Sequence, residues 1–127
     1  MHVLIVQENR ELGRLWKAHL ERCGCQVDLA CDQAAAIHLL QNAEVDIIVL
    51  DLVLSDGSAF AVADFSAYRQ PSAKVIFVSD TSFFSDGSIF SHIPNACAMM
   101  PSKSSVEDLS AVVEHYGRQD RKALLSS

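Results

Sequence analysis

The chain predicts an α/β fold in which a five-stranded parallel sheet is covered by helices on both faces. Three observations lead there. Short apolar runs alternate with segments of helical periodicity along the sequence, the pattern of strands joined by crossover helices. Three of those runs, VLIV (Val3 to Val6), VDIIVL (Val45 to Leu50) and KVIFV (Lys74 to Val78), are continuously apolar once past Asp46 and Lys74 at the starts of the latter two, as parallel strands buried on both faces must be. All three stop on polar groups: Gln7, Glu8 and Asn9 after the first, Asp51 after the second, and Ser79, Asp80 and Thr81 after the third. Open α/β sheets hold their ligands at the carboxyl ends of the strands, so these groups define one acidic, hydroxylated rim suited to a hard cation.

The elements follow in order. After the first strand, Leu12, Leu15, Trp16, His19, Leu20 and Cys23 recur at three- and four-residue steps, which predicts an amphipathic helix that Gly24 ends. CQVDLA (Cys25 to Ala30) alternates apolar and polar residues, so the second strand is half exposed and belongs at an edge. Asp32 then caps a helix carrying Ala35, Ile37, Leu39 and Leu40. An edge position for the second strand agrees with the order 2-1-3-4-5 of the doubly wound, flavodoxin-like sheet.

Beyond Asp51, LSDGS makes a turn, with Ser58 or Asp56 as cap of a helix reaching about Tyr68, and Pro71 separates that helix from the fourth strand. Asp86-Gly87 disfavours a long helix after Thr81. The fourth helix is therefore expected to be short, starting near Asp86 and ending before Asn95, a residue able to take the left-handed cap conformation. Ala98 to Met100 form a short last strand. Ser104 and Glu107 fit a capping box, and Leu109, Val112, Val113 and Tyr116 form the inner stripe of a fifth helix.

A length of 127 residues suits one domain with a proper core. Half of the residues are hydrophobic and the formal net charge is −6, which argues for a soluble protein and against sequence-independent nucleic-acid binding. Apolar runs are too short to span a membrane and no secretory signal precedes the first strand, so a cytoplasmic location is expected. Cys23, Cys25, Cys31 and Cys97 are then reduced thiols. Cys23-Gly24-Cys25 supplies too few ligands for zinc and reads instead as small residues around a helix-terminating glycine.

Read by themselves, the rim residues each have a plain alternative. Asp51 is suited to cap the following turn, and Glu8 and Asn9 to open the first helix, where acids favour the dipole. The longer segments decide between readings. VLIVQEN, DIIVLDLVLSDGSAF, VIFVSD and AMMPSKSSVEDL together resemble the receiver domains of two-component response regulators, over residues 1 to about 116, with 117–127 left as a C-terminal tail. The resemblance implies a phosphoryl group accepted on Asp51 beside bound Mg2+, Glu8 as direct metal ligand, and Ser79 as the switch hydroxyl that contacts the phosphoryl group. It also implies a histidine kinase or phosphotransfer protein as partner. Dimerisation and output contacts are expected on the fourth helix, last strand and fifth helix, around Phe83, Phe84, Ile89, Phe90 and Ile93.

The departures from the family pattern are specific. Gln7 stands where the first acid of the metal-binding pair is usual, Ser102 where the phosphate-binding lysine is usual, Lys103 where proline follows it, Met99 at the switch aromatic, and Asp80 in place of a small residue. Gln7 offers a neutral oxygen for a water-mediated metal contact, so a weakened Mg2+ site is expected. Ser102 donates one neutral hydrogen bond. Lys103 substitutes for the lysine only if the loop slips by one residue, since adjacent strand residues point apart. The expected function is a single-domain phosphoacceptor that signals through protein contacts. The alternative is a pseudo-receiver, an interaction module without efficient phosphorylation. A turnover enzyme is not expected, because no nucleophile–base pair or glycine-rich nucleotide loop is present.

Overall fold

The computed structural model describes residues 1–54, 57–79, 93–101 and 103–126, with side chains through 117. The order along the chain is β1 (His2–Val6), α1 (Arg10–Arg22), β2 (Gln26–Ala30), α2 (Gln33–Asn42), β3 (Ile47–Asp51), α3 (Ala59–Arg69), β4 (Lys74–Ser79), β5 (Ala96–Pro101) and α4 (Val106–Ser126). All strand pairs are parallel, in the order β2-β1-β3-β4-β5. The flavodoxin-like doubly wound sheet expected from the sequence is therefore present. The predicted fourth helix falls in residues 80–92, outside the described residues, and α4 is the fifth helix of the sequence reading.

Period-two alternation divides the core. Leu4, Val6, Ile48, Leu50, Val75 and Phe77 pack with Ala36, Leu40, Val62 and Ala63 of α2 and α3. Val3, Ile5, Ile47, Val49, Ile76 and Val78 pack on the other face with Trp16, Leu20, Leu109 and Val113 of α1 and α4. Successive strand residues point to opposite faces, so a continuous apolar run feeds both layers at once. The edge strand β2 shows the half-exposed pattern its alternation predicts.

Capping follows the sequence in two places. Asp32 Oδ1 accepts from Ala35 N at 2.8 Å and Ser58 Oγ from Ala61 N at 3.3 Å; Asp56, the other candidate cap, lies outside the described residues. The start of α4 differs from expectation. Ser105, not Ser104, is the cap, its Oγ accepting from Asp108 N at 3.1 Å, while Ser104 N donates to Pro101 O. Asn95 also differs. No described non-glycine residue has positive φ, and Asn95 instead buries its side chain, Nδ2 donating to Ser66 Oγ at 3.0 Å and Ala73 O at 2.8 Å.

The helix stripes are corrected in detail. Leu15 is 51% exposed, whereas Gly13 is buried in its place. A Cβ on Gly13 would lie 2.7 Å from Leu29 Cδ1, so α1 approaches β2 through a position with no side chain, which a hydrophobicity count passes over. On α2 it is Ala36, not Ala35, that is fully buried. Leu109 and Val113 are buried as expected, and the backbone of α4 continues through the predicted tail to Ser126. Among the described residues, no helix is long and apolar enough to cross a membrane.

Two side chains tie the loops at the amino ends of the strands. Gln70, just past α3, donates through Nε2 to Leu40 O and Ala43 O at 2.8 and 2.6 Å, and accepts from Val45 N at 2.9 Å. It satisfies a carbonyl in the last turn of α2 and one just past its end, and anchors the entry to β3. His2 meets Asp28 Oδ2 at 2.6 Å and Glu44 O at 2.7 Å, and its backbone N–H donates to Asp46 Oδ2 at 2.8 Å.

Candidate functional site

β1 and β3 are neighbours with Val6 opposite Leu50, so the residues that follow each, Gln7 and Asp51, emerge side by side at the carboxyl edge. Alternation gives them the same parity as Ile5 and Val49. The side chains meet: Gln7 Nε2 donates to Asp51 Oδ2 at 2.7 Å. Both are buried, Gln7 2% and Asp51 9% exposed. The other carboxylate oxygen, Oδ1, accepts from Val53 N at 2.8 Å, which folds the chain into the turn after β3. Gln7 Oε1 accepts from Asn9 N at 3.0 Å. Asn9 in turn caps α1 through Oδ1, accepting from Leu12 N at 3.1 Å.

Ser79 closes β4 one step beyond Val78, the partner of Asp51, and is buried. Leu52 N continues the β3–β4 ladder by donating to Val78 O at 2.9 Å. Glu8 is half-buried in the turn between β1 and α1. Met99 pairs with Phe77 in β5 and packs against the α2–α3 layer. Lys103 is exposed in the turn before α4. Ser102, Asp80, Phe83, Phe84, Ile89 and Phe90 lie outside the described residues; Ile93, one of an apolar set of which some members were expected to pack inward, is 2% exposed and belongs to the core.

The donor chemistry of this rim fits a hard divalent cation. Such an ion takes oxygen ligands, keeps several waters, and needs only one or two carboxylates from the protein. Glu8 and Asp51 are, among the described residues, the carboxylates carried by this rim. Among the described residues, no group of three or more His, Cys, Asp or Glu gathers as a metal site, at this rim or away from it. Cys23 is exposed and Cys25 buried, and burial pushes the Cys25 thiol above its ordinary range.

Asp51, Glu8 and Ser79 were expected at this rim from the sequence, whereas the direct Gln7–Asp51 hydrogen bond was not. The signal was available in the equal parity of the two residues once the first and third strands are set as parallel neighbours.

A family model described as the response regulator receiver domain matches residues 3–87, more than half of the chain. The chain belongs to that family, a class of signalling domain in two-component systems. No curated protein matches it. Similar solved structures include a CheY-like response regulator receiver domain protein from Methanospirillum hungatei JF-1, at 20% identity and TM-score 0.87, covering 96% of this chain and 97% of that one. The signal receiver domain of a Luxo repressor protein from Vibrio parahaemolyticus aligns at 20% identity and TM-score 0.86, with 99% and 96% covered. The response regulator TrrA from Thermotoga maritima, solved in complex with Mg(2+)-BeF, aligns at 19% identity and TM-score 0.78, with 91% and 97% covered. At these identities the likeness establishes the fold.

Proposed function

We propose that this domain accepts a phosphoryl group on Asp51 from a histidine kinase or phosphotransfer partner, assisted by Mg2+, and signals by changing its protein contacts. The observation that carries the reading is the Asp51 carboxylate at the end of a central strand, oriented through Oδ1 by Val53 N and flanked by strand ends that carry Glu8 and Ser79. In transfer from a phosphohistidine, an Asp51 oxygen forms the O–P bond as the P–N bond breaks, and the bonding pair returns to the imidazole, which takes up a proton. Bound Mg2+ supplies neutralisation of charge on the phosphoryl oxygens. Glu8 and Asp51 would hold it, and the Ser79 hydroxyl donates toward the transferred group.

By sequence position Ser102 replaces the family's lysine with a neutral hydroxyl, so the phosphorylated state is expected to be less stabilised than in a site with an ammonium group. Output is assigned to the predicted fourth helix, β5 and α4, with homodimer formation or partner binding through the aromatics Phe83, Phe84 and Phe90. The acidic balance of the chain, −6 in net charge, argues against direct nucleic-acid contact.

The test is incubation with a small phosphodonor and Mg2+, followed by intact-mass spectrometry. One phosphoryl adduct is expected, and Asp51→Asn abolishes it. The second reading, a pseudo-receiver interaction module, is favoured by one feature, the Gln7 amide already bonded to Asp51 Oδ2. Absence of any adduct at saturating Mg2+ and donor establishes that reading instead.

A further inference from the structure

We propose that the Gln7 carboxamide is a latch on Asp51 that competes with the divalent cation, and that cation binding inverts the amide and loosens the cap of α1. This deepens the reading of Asp51 as a cation-assisted phosphoacceptor and rests on it for the site, although the latch itself is a property of cation binding alone.

The orientation of the amide is determined by its two neighbours. Asn9 N–H can only donate, so the Gln7 atom 3.0 Å away is the oxygen. That leaves Nε2 facing the Asp51 carboxylate at 2.7 Å, an acceptor-only group when ionised. With the side chain 2% exposed, water cannot readily replace either partner, and both ends of the amide are engaged. In this state the positive edge of the amide sits where a cation approaching Oδ2 would lie.

A cation on Oδ2 repels the N–H edge and attracts an oxygen. Turning the amide over puts Oε1 toward the ion, directly or through a water, and puts Nε2 against Asn9 N, donor facing donor. Without the cation the inverted state is doubly unfavourable, because Oε1 would face carboxylate oxygen while two donors oppose each other. With the cation, the first repulsion becomes attraction and only the second remains. Asn9 can relieve that by shifting its backbone, and Asn9 also holds the first turn of α1 through Leu12 N. The occupied site is thereby coupled to the amino terminus of α1, a charge-sensitive helix end. An ionised acid at position 7 has no donor for Asp51, so the latch is a consequence of this chain's own glutamine.

The latch reading and a purely ligand role for Gln7 differ in sign. A charge-assisted hydrogen bond corresponds to roughly one to two decades in an equilibrium, so Gln7→Ala should bind Mg2+ about tenfold more tightly than the unaltered chain by isothermal titration calorimetry. If Gln7 serves only as a ligand through water, Gln7→Ala binds equally or more weakly, and the latch is overturned. A second measurement needs no variant. In 1H–15N spectra of the unaltered protein, the Gln7 side-chain NH2 and the Asn9 and Leu12 amides should shift together during a Mg2+ titration, with one midpoint. Saturation of the site without movement of the Gln7 NH2 signals overturns the proposal, as does failure of both the unaltered chain and Gln7→Ala to bind Mg2+. None of these measurements contains a phosphodonor, so loss of the phosphorylation reading and loss of the latch are separable results.

Discussion

Replacing Gln70 with alanine should destabilise the domain by about 3 kcal/mol. The side chain makes three hydrogen bonds of 2.6–2.9 Å that join the end of α3, the end of α2 and the entry to β3. A typical intramolecular hydrogen bond contributes about 0.5–1.5 kcal/mol net, and a buried group left without a partner costs about 1–3 kcal/mol. Ala43 O lies just past the helix end where water can partly replace the amide, whereas Leu40 is only 1% exposed. Val45 is 7% exposed, so its N–H and Leu40 O are the expensive losses. One orphaned donor and one orphaned acceptor, each near the low end of that range, with one partly recovered acceptor, give roughly 2–4 kcal/mol. For a domain of this size that corresponds to a fall of about 10 °C in Tm. Urea unfolding monitored by far-UV circular dichroism should show a lower midpoint with an unchanged slope. Gln70→Glu is the informative companion. It retains an acceptor for Val45 N but sets a carboxylate against two carbonyl oxygens, so it should be at least as destabilised at neutral pH and recover partly as the carboxyl is protonated. A loss below about 0.5 kcal/mol for Gln70→Ala, the size of ordinary surface substitutions, refutes the argument that this side chain ties the three segments.

Other outcomes are equally direct. Gly57 has φ of +110° and a Cβ there would lie 2.5 Å from Gln33 Cβ, so Gly57→Ala should cost about 2–3 kcal/mol from backbone strain and the clash together, read as a lowered denaturation midpoint. Ser102→Lys should raise the phosphorylated fraction by roughly tenfold at limiting phosphodonor, through a restored charge-assisted contact; intact-mass spectrometry showing no gain removes the lysine argument. Burial raises the Cys25 thiol, with smaller opposing and reinforcing charges around it. The neutral form is the one favoured in the folded state, so its contribution to stability is complete below the ordinary thiol range and is lost as pH rises through the raised folded value. At mildly alkaline pH a disulfide reagent should accordingly label exposed Cys23 quickly and Cys25 only as the protein unfolds; equal rates in the folded protein contradict the assignment.

The sequence by itself determined the layers, the strand order and the rim. Continuous apolar runs that end on Gln7, Asp51 and Ser79 carry that information locally, because a parallel strand buried on both faces cannot be written any other way. Asp32 and Ser58 as caps were legible for a similar reason, since a cap acts within three residues of itself. Tertiary structure decided whatever depends on a distant neighbour. Gly13 turned inward because Leu29 of β2 comes close enough to leave no room for a side chain. Asn95 became a buried donor to Ser66 and Ala73 rather than a left-handed cap. Gln70 found its partners 25 to 30 residues away along the chain. Most consequential for function, Gln7 was read from the sequence as a weak oxygen near an ion, while strand register set it against Asp51 across 44 residues as a hydrogen-bond donor. Composition and periodicity specify which face a residue occupies. Only the pairing of strands and helices specifies which polar atom meets which, and an amide that can present either oxygen or nitrogen takes its role from that pairing.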